Sequence, residues 1–217
     1  MSGDDALAFG TLDIVSQFQV AQRVFVDARL PLTVGSLGNP MLGVRGVARP
    51  AERFWITLGG SFGFPLIGDD EDLIAAGSFS QAWWNLHQYA PETVPIMLHS
   101  AFEGHVGEVG IFRAEVDPVL YLLLDPERND DGMELAMQFA GEFQLGHTIG
   151  GGLRFQGVWL ATSNINDNVQ IAMEPFFIME REHLFLRFGM LLPLTDPLGT
   201  PFDPVWGVRA ATGIHFD

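Results

Sequence analysis

The sequence predicts an all-β protein, an antiparallel transmembrane β-barrel of ten to twelve strands, with twelve favoured. Three observations lead there. Apolar and polar residues alternate with a period of two along almost the whole chain, the pattern of strands with unlike faces. The chain is 47% hydrophobic but only 18% charged, where an ordinary soluble domain carries roughly 25% charged residues. No stretch approaches the ~18–20 uninterrupted apolar residues of a spanning helix, whereas a spanning strand needs only ~9–11. At 217 residues, one domain covering 1–217 is expected.

Composition closes other routes. There is no cysteine, so disulfide scaffolds and thiolate metal sites are excluded. All 11 basic residues are arginine, and the net charge is −16. That balance excludes the basic footprint of a nucleic-acid-binding protein. Disorder requires low hydrophobicity, which this chain lacks.

The elements follow in order. Strands at 10–20 and 23–33 flank a short turn at Ala21-Gln22, and the second places Asp27 and Arg29 on its polar face. The strand at 40–50 carries Arg45 and Arg49 there. At 53–66 the alternation is clearest: Phe54, Ile56, Leu58, Phe62, Phe64 and Leu66 oppose Trp55, Thr57, Gly59, Ser61 and Gly63. We assign Ile56, Phe62 and Phe64 to lipid and the small or polar face to the interior. Residues 67–92 form a long extracellular loop, in which Asp72–Tyr89 shows no clean alternation and is expected as a surface loop with some helix.

The second half repeats the scheme. The strand at 93–105 turns Leu98 and Phe102 to lipid and His99, Glu103 and His105 inward. The strand at 109–124 turns Phe112 and Leu120 outward and Arg113, Glu115 and Asp117 inward. At 133–146, Phe139 opposes Glu134, Gln138 and Glu142. At 150–162, Phe155 opposes Arg154 and Gln156, and at 168–180, Ile171 opposes Gln170 and Glu174. At 183–195, Phe188 opposes Arg187, and at 204–216, Ile214 opposes Arg209 and His215. Many of these strands run ten residues or more, where strands of soluble proteins peak at ~5–6.

The connections alternate too. Short turns fall near residues 21–22, 50–52, 104–108, 146–149 and 180–183. Longer polar stretches fall at 34–39, 67–92, 125–132, 163–167 and 196–203, and they carry much of the acid. Short turns at one rim and longer loops at the other is the arrangement of outer-membrane barrels. The tryptophans 55, 83, 84, 159 and 206, with Tyr89 and Tyr121, suit interfacial girdles. For Trp83-Trp84 a small apolar cluster under the long loop is the equal alternative.

The residues of Leu12–Leu32, ending Arg29-Leu30-Pro31-Leu32, and of Gly38-Asn39-Pro40-Met41-Leu42-Gly43-Val44-Arg45 resemble the early hairpin and next strand of outer-membrane barrels of myxobacteria and related Gram-negative bacteria. The aromatic Phe216, one residue from the end of a final amphipathic strand, is similar to the terminal signature of that class, displaced by one position. The resemblance implies a barrel in the cell outer membrane, and no particular substrate. Those proteins resemble solute transporters or barrel halves of larger envelope proteins. The N-terminal residues Met1–Asp5 are acidic and lack an apolar core, so the export leader is expected to be missing from this chain.

The eleven strands read here sit against the even numbers of bacterial single-chain barrels. A twelfth, within residues 1–20 or 72–92, is favoured over a parallel meeting of the first and last strands.

The expected function is passive passage of small hydrophilic solutes. The alternative is a closed structural barrel or the membrane anchor of a larger envelope protein, with a lumen plugged by side chains. A barrel enzyme or a receptor acting through loop 67–92 is the third class. Charges on the inner face need water or each other, which a water-filled lumen or Arg–carboxylate networks would supply.

No catalytic set is expected. His99 and Ser100 are neighbours and point to opposite faces, and Ser16, Ser61 and Ser163 have no histidine at a usable strand offset. A dyad across strands is disfavoured. His99, Glu103 and His105 share a face but lack a fixed third close ligand, so no metal and no cofactor is expected. The expected partners are membrane lipid or detergent and small hydrophilic solutes, with no nucleic acid, around a monomer.

Overall fold

The computed structural model describes residues 11–33, 36–67, 85–124, 133–162, 168–181, 184–195 and 206–214. It is all-β: β1 (Thr11–Ala21), β2 (Val24–Thr33), β3 (Ser36–Leu37), β4 (Met41–Ala51), β5 (Phe54–Gly63), β6 (Thr93–Val106), β7 (Gly110–Leu123), β8 (Met133–Leu145), β9 (Ile149–Leu160), β10 (Val169–Arg181), β11 (Leu184–Pro193) and β12 (Gly207–Ile214). A 3-10 turn, Leu86–Gln88, precedes β6. β3 is only two residues long and pairs with the end of β2. The other eleven strands form one sheet in the order β1-β2-β4-β5-β6-β7-β8-β9-β10-β11-β12, and each described ladder is antiparallel.

Among the described residues the count is therefore eleven long strands. Of the segments expected to hold a twelfth, residues 1–10 and 72–84 lie outside the described residues. The part of the second that is described, 85–92, holds the 3-10 turn instead. Among the described residues no ladder joins β1 to β12.

Register carries the polar face from strand to strand. Gln17 pairs Asp27, Asp27 pairs Gly43, Gly43 pairs Ser61, and Ser61 pairs Met97. Further round, Glu142 pairs Arg154 and Arg154 pairs Glu174. Since side chains alternate along a strand, these pairings put the charged residues of the long strands on one side of the sheet, apart from Arg181 at the very end of β10, and β5 carries none. That side is concave: residues of ten strands line a single cavity of about 470 Å³.

The other face is apolar and exposed. Phe18, Val44, Leu58, Leu98, Phe112, Phe143, Phe155, Phe177, Phe188 and Val208 all lie on it with large exposed areas. A soluble two-layer sandwich would bury such a face against a second sheet, and no second sheet is present among the described residues.

The short turns sit at one rim. Gly107 and Gly146 adopt φ of 65° and 87° there, the left-handed region that glycine enters without steric cost. Neighbouring turns are tied together: Arg53 donates to the Gly107 carbonyl at 3.1 Å, and the Gly146 amide donates to the Val109 carbonyl at 2.9 Å. The long connections leave from the opposite rim.

One expectation fails at that second rim. The end of the 72–90 segment is not a surface loop: His87, Gln88 and Tyr89 are buried. Residues 87–90 are held against the concave face by polar bonds that a solvated loop would not need. Asn39 donates its side-chain amide to the Ala90 carbonyl at 2.6 Å, and its backbone amide donates to the Gln88 carbonyl at 2.7 Å. Gln138 and His87 Nδ1 are 2.9 Å apart. A small apolar cluster of Met97, Val119, Tyr121 and Ala136 lies beside it, with Ala90 packed on top.

Candidate functional site in the charged interior

The interior holds two groups of charges. The first spans β6 to β12 and is a continuous Arg–Glu network. Arg113 donates to Glu103 and to Glu142, each at 2.7 Å, and to Gln144 at 2.9 Å. Arg187 donates to the other oxygen of Glu142 at 2.8 Å, and Arg154 stands 3.5 Å from that oxygen. Arg154 also grips Glu115, at 2.9 and 3.4 Å, and bonds Gln156 at 3.1 Å. Glu174 takes a bond from Arg209 at 3.1 Å and lies 3.5 Å from Arg187. The Arg187 guanidinium also sits 3.8 Å from the centre of the Phe176 ring, a cation–π contact.

Alternation alone supplied the residues of this network, and the structure joins them. Arginine suits the role because its fixed fork of donors can bind two carboxylates at once. Glu142 and Glu174 are almost fully buried, so their charges depend on these partners.

The second group is sparser and faces the cavity from β2, β4, β5, β6 and β7. Arg45 donates to Asp27 at 2.6 Å. Arg29 lines the cavity, where its charge acts on Asp13 of β1. Ser61 Oγ lies 2.9 Å from His99 Nε2, and His99 Nδ1 lies 3.3 Å from Asp117 Oδ2. The second oxygen of Asp117 accepts the Ser100 backbone N–H at 3.1 Å. This is a contact across strands, the arrangement disfavoured for Ser61 from the sequence. The offset along one strand is irrelevant, because His99 reaches Ser61 from the neighbouring strand, where Gly59 is its direct pair and Ser61 is one side-chain position along.

The remaining interior residues differ in placement. Arg49 is exposed at the short-turn rim, where its guanidinium donates to the Glu52 carbonyl at 3.1 Å through Nε and lies over Trp55. Glu134 is half-buried, opposite Tyr121 in the ladder. His105 bonds Glu103 at 3.1 Å and packs on Trp55, while His99 takes different partners. Among the described residues no three His, Asp or Glu side chains are arranged to hold a metal ion. His215 lies outside the described residues.

Of the residues assigned to lipid, Phe62, Phe64, Leu98, Phe102, Phe112, Phe155, Phe188 and Ile214 are exposed, and Ile56, Leu120, Phe139 and Ile171 are half-buried. Part of that shielding comes from the same face: the Phe139 ring lies over Gly157, where any side chain would collide with it at 2.5 Å. Trp206 and Trp159 are exposed, but Tyr89 and Tyr121 are buried. A girdle role fails for both tyrosines: Tyr121 falls on the inner face of β7, and Tyr89 follows the tucked 3-10 turn. Trp83 and Trp84 lie outside the described residues.

Sequence reasoning missed Ser61 as a partner of His99, and His87 as an inward residue. A signal for the first existed in the small residues Gly59, Ser61 and Gly63 facing inward, which leave room for a longer side chain beside them. None existed for the second, since its side-chain partner is Gln138, 51 positions away.

The chain matches no protein-family model, no curated protein and no solved structure.

Proposed function

We propose that the sheet closes into a transmembrane β-barrel of the outer membrane, whose narrow polar lumen passes small hydrophilic solutes. The observation that carries this reading is the inversion of the two faces: charge lines a common cavity, and large apolar side chains cover the outside. Water in a lumen and hydrocarbon around it satisfy both faces at once. The short turns would lie in the periplasm and the long connections outside the cell.

Closure follows from the same requirement, because unpaired backbone groups in hydrocarbon each cost several kcal/mol. β1 and β12 both run toward the short-turn rim, so a seam between them is parallel. Arg209 on β12 and Asp13 on β1 influence one another electrostatically, which supports the two edges lying close together.

A second reading is a closed structural barrel or anchor, and the Arg–Glu network favours it. That network fills one side of the interior, and the segment around His87 covers part of the other. Conductance in planar bilayers separates the two. A pore gives discrete small steps, and Thr57→Trp, placed on the cavity wall, cuts them by half or more. A sealed barrel gives no steps above the bare bilayer, and that result would remove the pore.

A further inference from the structure

We propose that Ser61, His99 and Asp117 form a serine-hydrolase triad that opens into the interior cavity and cleaves small acyl esters carrying a negative charge.

The three residues sit on adjacent strands, β5, β6 and β7, and all three line the cavity. Ser61 Oγ is 2.9 Å from His99 Nε2, and Asp117 Oδ2 is 3.3 Å from His99 Nδ1. An ionised carboxylate only accepts hydrogen bonds, so the proton of a neutral His99 belongs on Nδ1. Nε2 is then the acceptor, and it faces the serine hydroxyl. The Ser100 amide holds the far oxygen of Asp117 at 3.1 Å, which fixes the carboxylate that orients the ring. Nucleophile, base and orienting acid thus stand in the order and within the reach that acyl transfer needs.

Space and charge at the same place suggest the substrate. Gly43 stands opposite Ser61 in the ladder and Gly59 opposite His99, so the β4 position directly across from the serine carries no side chain. Two cations face this part of the cavity. Arg29 lines the cavity, where its charge also acts on Asp13 of β1. Arg45 bonds Asp27 through one terminal nitrogen, while its buried Nε has no partner. A carboxylate or phosphate on the substrate would meet these two guanidinium groups at the cavity wall.

In the reaction, Ser61 Oγ attacks the ester carbonyl carbon as His99 Nε2 takes the hydroxyl proton. The tetrahedral adduct collapses, the C–O bond to the alcohol breaks, and His99 returns the proton to the departing alkoxide. Water, deprotonated by His99, then attacks the acyl-Ser61 ester. The acid is released and the serine regains its proton. No metal or redox partner is consumed.

The test uses purified protein in detergent, its fold checked by circular dichroism and heat-modifiable gel mobility. The probes are p-nitrophenyl butyrate, the p-nitrophenyl monoester of succinate, and a fluorophosphonate label located by mass spectrometry. The expected result is label on Ser61 and ester cleavage that falls at least about 100-fold in Ser61→Ala. Asp117, a positioning residue, should lower kcat but not KM when changed to Asn. Arg29→Gln should remove the preference for the succinate monoester over the butyrate. Folded protein that leaves Ser61 unlabelled, or cleavage unchanged in Ser61→Ala, overturns the proposal. A failure of conductance leaves it standing, because cleavage needs one open end of the cavity and a pore needs two.

Discussion

The wall built by β7 to β11 and the wall built by β2, β4 and β5 face the same cavity, yet they handle charge in opposite ways. On the first, inner positions carry Arg113, Glu115, Glu142, Arg154, Glu174 and Arg187, long side chains that meet and neutralise one another. On the second, β5 and part of β4 present Gly43, Thr57 and Ser61, and the cavity lies over them. Side-chain length at alternate positions thus decides where the interior is solid and where it is hollow. The charges follow: those in the solid half depend on each other, and those in the hollow half keep access to water.

That contrast can be broken first by removing a carboxylate from each wall. Glu142 holds Arg113 and Arg187 and stands beside Arg154, with its side chain 2% exposed. Glu142→Leu leaves three cations short of a partner, and a loss of about 3–5 kcal/mol is expected. Asp27, 22% exposed, pairs with an Arg45 that is 36% exposed, so Asp27→Asn should cost under about 1 kcal/mol. Urea unfolding in lipid vesicles measures both, and equal losses would erase the distinction between the walls.

The next effect is a pH dependence at the hollow side. Burial, with Arg29 and then His99 adding to it, holds the His87 imidazole well below its ordinary value of 6.5. The unfolded chain therefore binds a proton near pH 6.5 that the folded chain refuses. His87 contributes fully above that pH, and its contribution falls as pH drops, by up to about 1.4 kcal/mol per unit for a single proton. His87→Gln should flatten the unfolding midpoint between pH 7.5 and 5.5 relative to the parent. An unchanged slope would mean that His87 does not seal this side.

The smallest effect is expected at the short-turn rim, outside both walls. Arg49 is exposed and lies 4.9 Å from the Trp55 ring centre. Arg49→Gln should change stability by no more than about 0.5 kcal/mol. A larger loss would extend the structural role of charge beyond the cavity.

The strands were legible because alternation is local: each residue of β8, for example, shows its face through its immediate neighbours. Apolar Phe139 and Phe143 against Glu134, Gln138 and Glu142 needed no knowledge of the partner strands. What alternation could not give is which residues meet. Ser61 and His99 are 38 positions apart and His99 and Asp117 are 18 apart. Their contact depends on the registers of β5 with β6 and β6 with β7, which the connections set. The tuck of His87 was hidden for a related reason. Its buried surroundings come from Asn39, Gln138 and the concave face, none of which is visible in the composition of residues 72–90.

The meander has a further consequence for how the molecule assembles. Each described ladder joins strands next to each other in the chain, apart from β2 and β4, which are separated only by the two-residue β3. The sheet can therefore grow by steps between chain neighbours, alternately across a short turn and a longer connection, and closure entropy rises only slowly with connection length. The seam of the proposed ring is different: β1 and β12 are separated by almost the whole sequence and no hairpin guides them together. Folding should then proceed in two kinetic stages, rapid accretion of strands followed by slow circularisation. The same line is where mechanical or thermal opening should begin.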